Sequence, residues 1–181
     1  MYNFNFFLPT KVLFGAGRLN DLHAEPLPGK KALIAIGGQS VKKHGYLERL
    51  EKELDKAGVD HVLFEGIRAN PTRQNVMDGA KAVRDNGCDF VIALGGGSVM
   101  DCTKCIALMA ANDGDIWDYS LSVTGGKKAP EYPAIPIVCI TTSAGTASEV
   151  DTATVISDDE ADEKTAIFDV SMFPTLSIVD S

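Results

Sequence analysis

The sequence has little of what would mark a nucleic-acid, membrane or disulfide-built protein. Its 17 lysines and arginines are outnumbered by 25 aspartates and glutamates, and the formal charge of −8 excludes the basic face that nucleic acid or an anionic membrane would require. No apolar stretch approaches the ~18 residues of a membrane span. The opening MYNFNFFLPTK lacks the basic head and long apolar run of a signal peptide, so a cytoplasmic chain is expected. The cysteines Cys88, Cys102, Cys105 and Cys139 show no framework spacing. Cys102-x-x-Cys105 is the one redox- or zinc-like spacing, but it falls inside a helical pattern and no second Cys or His pair follows, which favours two core-facing thiols. Histidine is scarce as well: His23, His44 and His61 lie in unrelated segments with no common face, so no metal-ligand set is expected. No repeat or low-complexity tract is present. What is present is one soluble domain, 181 residues long and 45% hydrophobic, able to bury a core and with a small molecule as its default partner.

Strand and helix patterns alternate. KALIAIG (31–37) reads as an apolar strand, and Ser40 to Gly58 repeats Val41, Leu47, Leu50 and Leu54 at helical spacing, with Gly58 as its stop. VDHVLFEG is a second strand, TRQNVMDGAKAVRDNG a second helix, and DFVIALGGG a third strand leading into a helix from Ser98 to about Asn112. Two successive strand–helix–strand units predict an α/β fold, a Rossmann-like parallel sheet with helices on both faces. The ends read differently. YNFNFF and KVLFGAG look like short N-terminal β segments joined at Leu8-Pro9-Thr10. IPIVCIT, TATVISD, EKTAIFD and LSIVD look like C-terminal strands, with a β-hairpin turning at the charged DDEAD (158–162). TGGKKAPEYP (124–133) is a flexible loop.

Three loops follow strand ends, where open parallel sheets bind ligands. In Gly37-Gly38-Gln39-Ser40, two glycines permit close backbone approach, Ser40 can cap the next helix, and Lys42 and Lys43 add positive charge; a plain glycine turn with a serine cap is the competing reading. Gly95-Gly96-Gly97-Ser98 has more glycine than a tight turn needs, each at an entropic cost, which implies that something approaches this backbone. Ser98 and Asp101 have capping-box spacing; beside a pyrophosphate, Asp101 would have to point away, toward a hydroxyl or Lys104. The turn is not G-x-G-x-x-G, so alone it identifies no dinucleotide. CITTSAGTASEV (139–150) offers hydroxyls and amides at a third strand end, or packs as a small-residue loop.

LPTKVLFGAGRL, ANPT, GGGSVMDCTK, GDIWDY and TTSAGTASEV stand in an order and spacing that resembles the iron-containing (group III) alcohol dehydrogenases over essentially the whole chain. The resemblance implies a nucleotide domain with the pyrophosphate against Gly96, Gly97 and Ser98 and with Asp101 toward the nicotinamide. It implies Asn70 near the adenosine half, and Thr141 and Thr142 on the adenine side with Ser143, Thr146 and Ser148 in the same loop. Lys164, on the hairpin, matches a lysine that reaches the nicotinamide ribose. NAD-preferring members often carry an acidic residue where this sequence has Gly37; with Gly38, Ser40 and the lysines, NADP is expected to be preferred over NAD. Ala147 replaces a glycine common in the family, narrowing the loop's freedom.

The same resemblance implies hydride exchange between NADP(H) and a small primary alcohol or aldehyde, assisted by Fe2+ or sometimes Zn2+ held by one aspartate and three histidines of a helical domain. Residues 1–181 match only the nucleotide domain, so this chain is expected to bind cofactor and to contribute no catalytic or metal-ligating residue. The surface facing that helical domain is expected to be apolar, which favours a homo-oligomer. Two alternatives stay open: a nucleotide-binding or interaction domain without turnover, and a glycerol dehydrogenase-like enzyme, against which GDIWDY and TTSAGTASEV speak.

Overall fold

A computed structural model describes residues 3–5 and 7–180. Among these, six strands form one all-parallel sheet: β1 (Lys11–Phe14), β2 (Lys31–Ala35), β3 (Asp60–Phe64), β4 (Phe90–Gly95), β5 (Ile137–Thr141) and β8 (Leu176–Val179). Their spatial order is β1-β8-β5-β4-β2-β3. The remaining two, β6 (Ala153–Asp158) and β7 (Glu163–Phe168), make the separate antiparallel hairpin that the alternating C-terminal segments predicted.

The central strands are continuously apolar because both faces are covered. Ala32, Ile34, Phe90, Ile92, Leu94, Val138 and Ile140 point into one layer, under the helix α2 (Tyr46–Ala57) and the 3-10 turn at Arg18–Ala24. Leu33, Ala35, Val91, Ala93, Ile137 and Cys139 point into the other, under α3 (Arg73–Asn86) and α4 (Gly97–Ala111), where Ile156 and Ile167 of the hairpin also bury. The four cysteines are buried and unpaired, as the helical reading of Cys102 and Cys105 required. Desolvation pushes the Cys105 and Cys139 thiols up to about 12.

Two sequence expectations change. The helix expected over 40–58 is two: α1 (Ser40–Lys43) and α2, split at Gly45, whose φ of 74° breaks the helical path while Gly58 closes α2 at φ 68°. The first N-terminal segment, YNFNFF, is not a strand over its described residues. Residues 3–5 and 7–9 are irregular, Tyr2 and Phe6 lie outside the described residues, and β1 instead joins β8 in parallel at the sheet's edge. IPIVCIT and LSIVD, read as strands, are β5 and β8 and lie side by side in the main sheet.

No helix among the described residues is long and apolar enough to cross a membrane. The chain passes from β2 outward to β3 and then crosses back to β4 on β2's other side, so the carboxyl ends of β2 and β4 flank the point where the strand order reverses. Crevices for ligands form at such points.

Candidate functional site

The turn after β4 is built for close approach. Gly96 caps α4 in extended conformation without any side-chain cap, which leaves the first amides of a fifteen-residue helix facing outward. A β-carbon on Gly96 would come within 2.9 Å of Ser143 Oγ, and one on Gly97 within 2.8 Å of Thr146 Cγ2. The loop after β5 therefore lies directly over the glycines, tied down where the Thr142 amide donates to the Gly95 carbonyl at 3.0 Å. A larger residue there would have to push the Ser143 or Thr146 side chain aside. The capping box read between Ser98 and Asp101 does not form, because α4 begins one residue earlier and Ser98 is already inside it.

Two hollows open on either side of this turn. One, of about 360 Å³, is lined by Gly97, Ser98, Asp101, Thr146 and Ser148, by Asn70 and Pro71, and by Val155 and Lys164 of the hairpin. The other, of about 510 Å³, is lined by Thr141, Thr142 and Ser143 together with Leu94, Ile140, Leu19, Tyr46, Arg49, Val179 and Asp180. A glycine turn with a hollow on each side matches a ligand with a charged middle and two bulky ends.

In the first hollow, Asp101 is a fixed acceptor. Its Oδ1 accepts from the buried Ser148 hydroxyl at 2.7 Å and its Oδ2 from the Val155 amide at 3.0 Å. Burial pushes its carboxyl above the usual aspartate range, against the opposing pull of Ser148, the Val155 amide and Lys104. Lys104 does not pair with Asp101 directly. Its fully covered ammonium donates to Asp151 Oδ1 at 2.7 Å and to the Ala153 carbonyl at 3.2 Å, which pins the start of β6 to α4. Across the hollow, Lys164 donates to Asn70 Oδ1 at 2.8 Å. Asn70, expected at the adenosine half, thus shares the side of Asp101 and Lys164. Its φ of 55° is tolerable for asparagine, whereas Ala147 at φ 59° explains why a glycine suits that loop position better.

In the second hollow, Thr141 is engaged locally: its hydroxyl donates to the Ser143 carbonyl at 2.8 Å. The opposite wall is held by Asp180, which accepts from the Gly17 amide at 2.6 Å, the Leu19 amide at 3.1 Å and Arg49 Nη2 at 2.7 Å. Tyr46, Arg49, Val179 and Asp180 escaped the sequence reading. Tyr46 and Arg49 look there like the solvated face of an amphipathic helix, and only the packing of α2 on the 3-10 turn at Arg18–Ala24, which itself lies against β8, turns them toward this space.

Gly37, Gly38 and Ser40 line neither hollow. They form the rim above β2, where Gly37 lies against Val99 and Ile67 while Gly38 has open space beside it. Ser40 is the first residue of α1 and not its cap; Gln39 holds that position without a side-chain cap bond. Lys42 is paired with Glu65 Oε1 at 2.5 Å.

The sequence profile of the iron-containing alcohol dehydrogenases matches residues 9–181. A probable NADH-dependent butanol dehydrogenase of Bacillus subtilis is 39% identical over 181 residues, covering 99% of this chain and 46% of that protein. An NADPH-dependent aldehyde reductase, YqhD of Escherichia coli, is 37% identical over 180 residues, with 99% and 46% covered. The crystal structure of an NADH-dependent butanol dehydrogenase A from Thermotoga maritima superposes with a TM-score of 0.91 at 32% identity, covering 99% of this chain and 44% of that one. The chain spans about half the length of the curated relatives it matches.

Proposed function

Because the chain belongs to the iron-containing alcohol dehydrogenase family, we propose that it is the dinucleotide-binding part of an oxidoreductase that moves hydride between a nicotinamide cofactor and a small alcohol or aldehyde. The observation that carries this reading is the glycine turn at the strand-order reversal, overlaid at β-carbon distance by Ser143 and Thr146 and flanked by the two hollows. The pyrophosphate lies against Gly96, Gly97 and the first turn of α4, where unsatisfied amides and the helix dipole favour an anion. The nicotinamide half takes the hollow of Asp101, Asn70 and Lys164. The adenine half takes that of Thr141, Thr142 and Ser143, whose apolar walls, Leu94, Ile140 and Val179, suit a flat base.

The ribose of the adenine half lies against Gly37, Gly38 and Ser40, between the second hollow and the end of β2. NADP(H) is accepted there ahead of NAD(H), for two reasons. Gly38 leaves room for a 2′-phosphate, and Lys43 makes no ion pair among the described residues. The B. subtilis and E. coli relatives carry opposite cofactor names, NADH and NADPH, so family membership alone does not decide the preference.

The family's metal is a separate matter. Among the described residues no three His, Cys, Asp or Glu stand together as ligands. His23 pairs with Glu53, His61 lies beside Glu51, and His44 stacks against Tyr46. The residues present do not fit iron or zinc, and the chemistry proposed for this chain stops at cofactor recognition.

Titration with NADPH, NADP+ and NADH, followed by nicotinamide fluorescence and by thermal unfolding, tests the reading. Saturable binding of NADPH, tighter than NADH, is expected, with a rise in melting temperature that grows with ligand concentration. Absence of a response to all three overturns it.

A further inference from the structure

The rim of the proposed cofactor site carries a charge pair that the sequence pattern hides. In the sequence, the acidic residue that would read a ribose is sought at the end of β2, where Gly37 stands. In the fold, the neighbouring strand β3 ends beside that position, and the first residue after it is Glu65. The two strand ends are laced together, with the Gly66 amide donating to the Gly37 carbonyl at 3.4 Å and the Ile67 amide to the Ile36 carbonyl at 3.3 Å. Glu65 Oε1 lies 2.5 Å from the Lys42 ammonium. Both members of the ion pair are partly exposed, Lys42 at 33% and Glu65 at 43% of the side chain, so the pair can open without unfolding anything.

We propose that Glu65 is a specificity-determining residue of the cofactor site: by engaging Lys42 and by setting a carboxylate next to the open face at Gly38, it weakens 2′-phosphate binding and keeps NADH competitive with NADPH. The inference rests on the reading that the adenosine ribose lies against Gly37–Ser40. A 2′-phosphate carries up to two negative charges. To be held by Lys42 it must displace Glu65, and the displaced carboxylate remains within a Debye length of it. NADH meets neither obstacle. Lys43, on the same turn, supplies the attraction that remains.

The test compares Glu65→Gln with the unaltered protein, measuring dissociation constants of NADPH and NADH, and of adenosine 2′,5′-bisphosphate and 5′-AMP, at about 0.02 M and about 0.5 M salt. Glutamine keeps the side-chain length and can still accept from Lys42, so a change reports charge. The preference for NADPH over NADH is expected to rise about three- to tenfold at low salt, the two adenosine phosphates to show the same gain, and both gains to shrink at high salt. Adding Lys42→Gln to Glu65→Gln is expected to remove most of the gain. An unchanged ratio, with both cofactors still bound, overturns the role of Glu65 and leaves the cofactor site standing. Failure of the unaltered protein to bind either cofactor overturns the site and this inference together.

Discussion

Removing the Asp151 carboxylate should destabilise this protein far more than removing the ammonium it pairs with. The two partners differ in solvation: the Lys104 side chain is 0% exposed on α4, whereas that of Asp151 is 42% exposed. Asp151→Ala leaves a positive charge inside the fold with the Ala153 carbonyl as its one remaining partner. Losing one member of a buried pair costs about 3–5 kcal/mol, and the lower end applies because water can follow through the opening left by Asp151. Lys104→Met keeps an unbranched chain of similar volume in the same slot and frees a carboxylate that solvent already reaches. That exchange should cost at most about 1 kcal/mol.

For a protein of this size, 1 kcal/mol corresponds to about 2–4 °C in melting temperature. Asp151→Ala should therefore melt about 6–12 °C lower than the unaltered protein, while Lys104→Met stays within about 4 °C. The double variant should resemble Lys104→Met alone, since without the lysine no buried ammonium is left unpaired by the loss of Asp151. Calorimetry and urea unfolding with an unchanged m-value are the assays. If Lys104→Met proves as damaging as Asp151→Ala, the pair is a net source of stability and the argument from unequal solvation is wrong.

Gly97→Ala places a β-carbon 2.8 Å from Thr146 Cγ2 and should reduce dinucleotide affinity at least tenfold with a far smaller proportional effect on melting; unchanged binding in a fluorescence titration would remove the turn from the site. Gly38→Asp has open space, while Gly37→Asp crowds the Ile67 carbonyl at 3.1 Å, so Gly38→Asp should shift selectivity toward NADH with the smaller loss of stability, and an unshifted NADPH-to-NADH ratio would count against the ribose placement. Burial pushes the Asp180 carboxyl up, but the Leu19 and Gly17 amides and Arg49 outweigh it and hold it below the usual range. Its contribution is therefore complete above about pH 3.9 and lost as pH falls through the lower folded value. Asp180→Asn should flatten the acid limb of urea midpoint against pH; an identical limb in the variant would contradict this. The four buried cysteines should resist iodoacetamide in the native state and react once denaturant is added, as intact mass would report; native labelling of Cys105 or Cys139 would show that the core opens.

Much of the scaffold is legible without coordinates. The runs 32–36, 90–94 and 135–140 are apolar at every position because strands covered on both faces have no polar side, and the amphipathic spacing over 46–57 and 73–86 marks helices with one. The glycine turn was legible for a related reason: three glycines in a row carry an entropic cost that only a close approach offsets. Local conformation misled where a single residue reverses the chain. Gly45 splits one helical pattern into two, and Gly96 takes the cap that Ser98 was read to hold.

By itself the sequence determined the alternation of strands and helices, the hairpin over 153–168 and the family, since periodicity, turn residues and motif order are all properties of neighbours along the chain. Tertiary structure alone decided the partners. Asp101 turned from a cap into an acceptor for Ser148, 47 residues away; Lys164 met Asn70 across 94 residues, and Arg49 met Asp180 across 131. Such contacts depend on which strand ends lie side by side and which helix face docks beneath them. Local periodicity carries no term for that, which is why Glu65, one residue beyond an ordinary strand, became visible only when β3 was laid against β2.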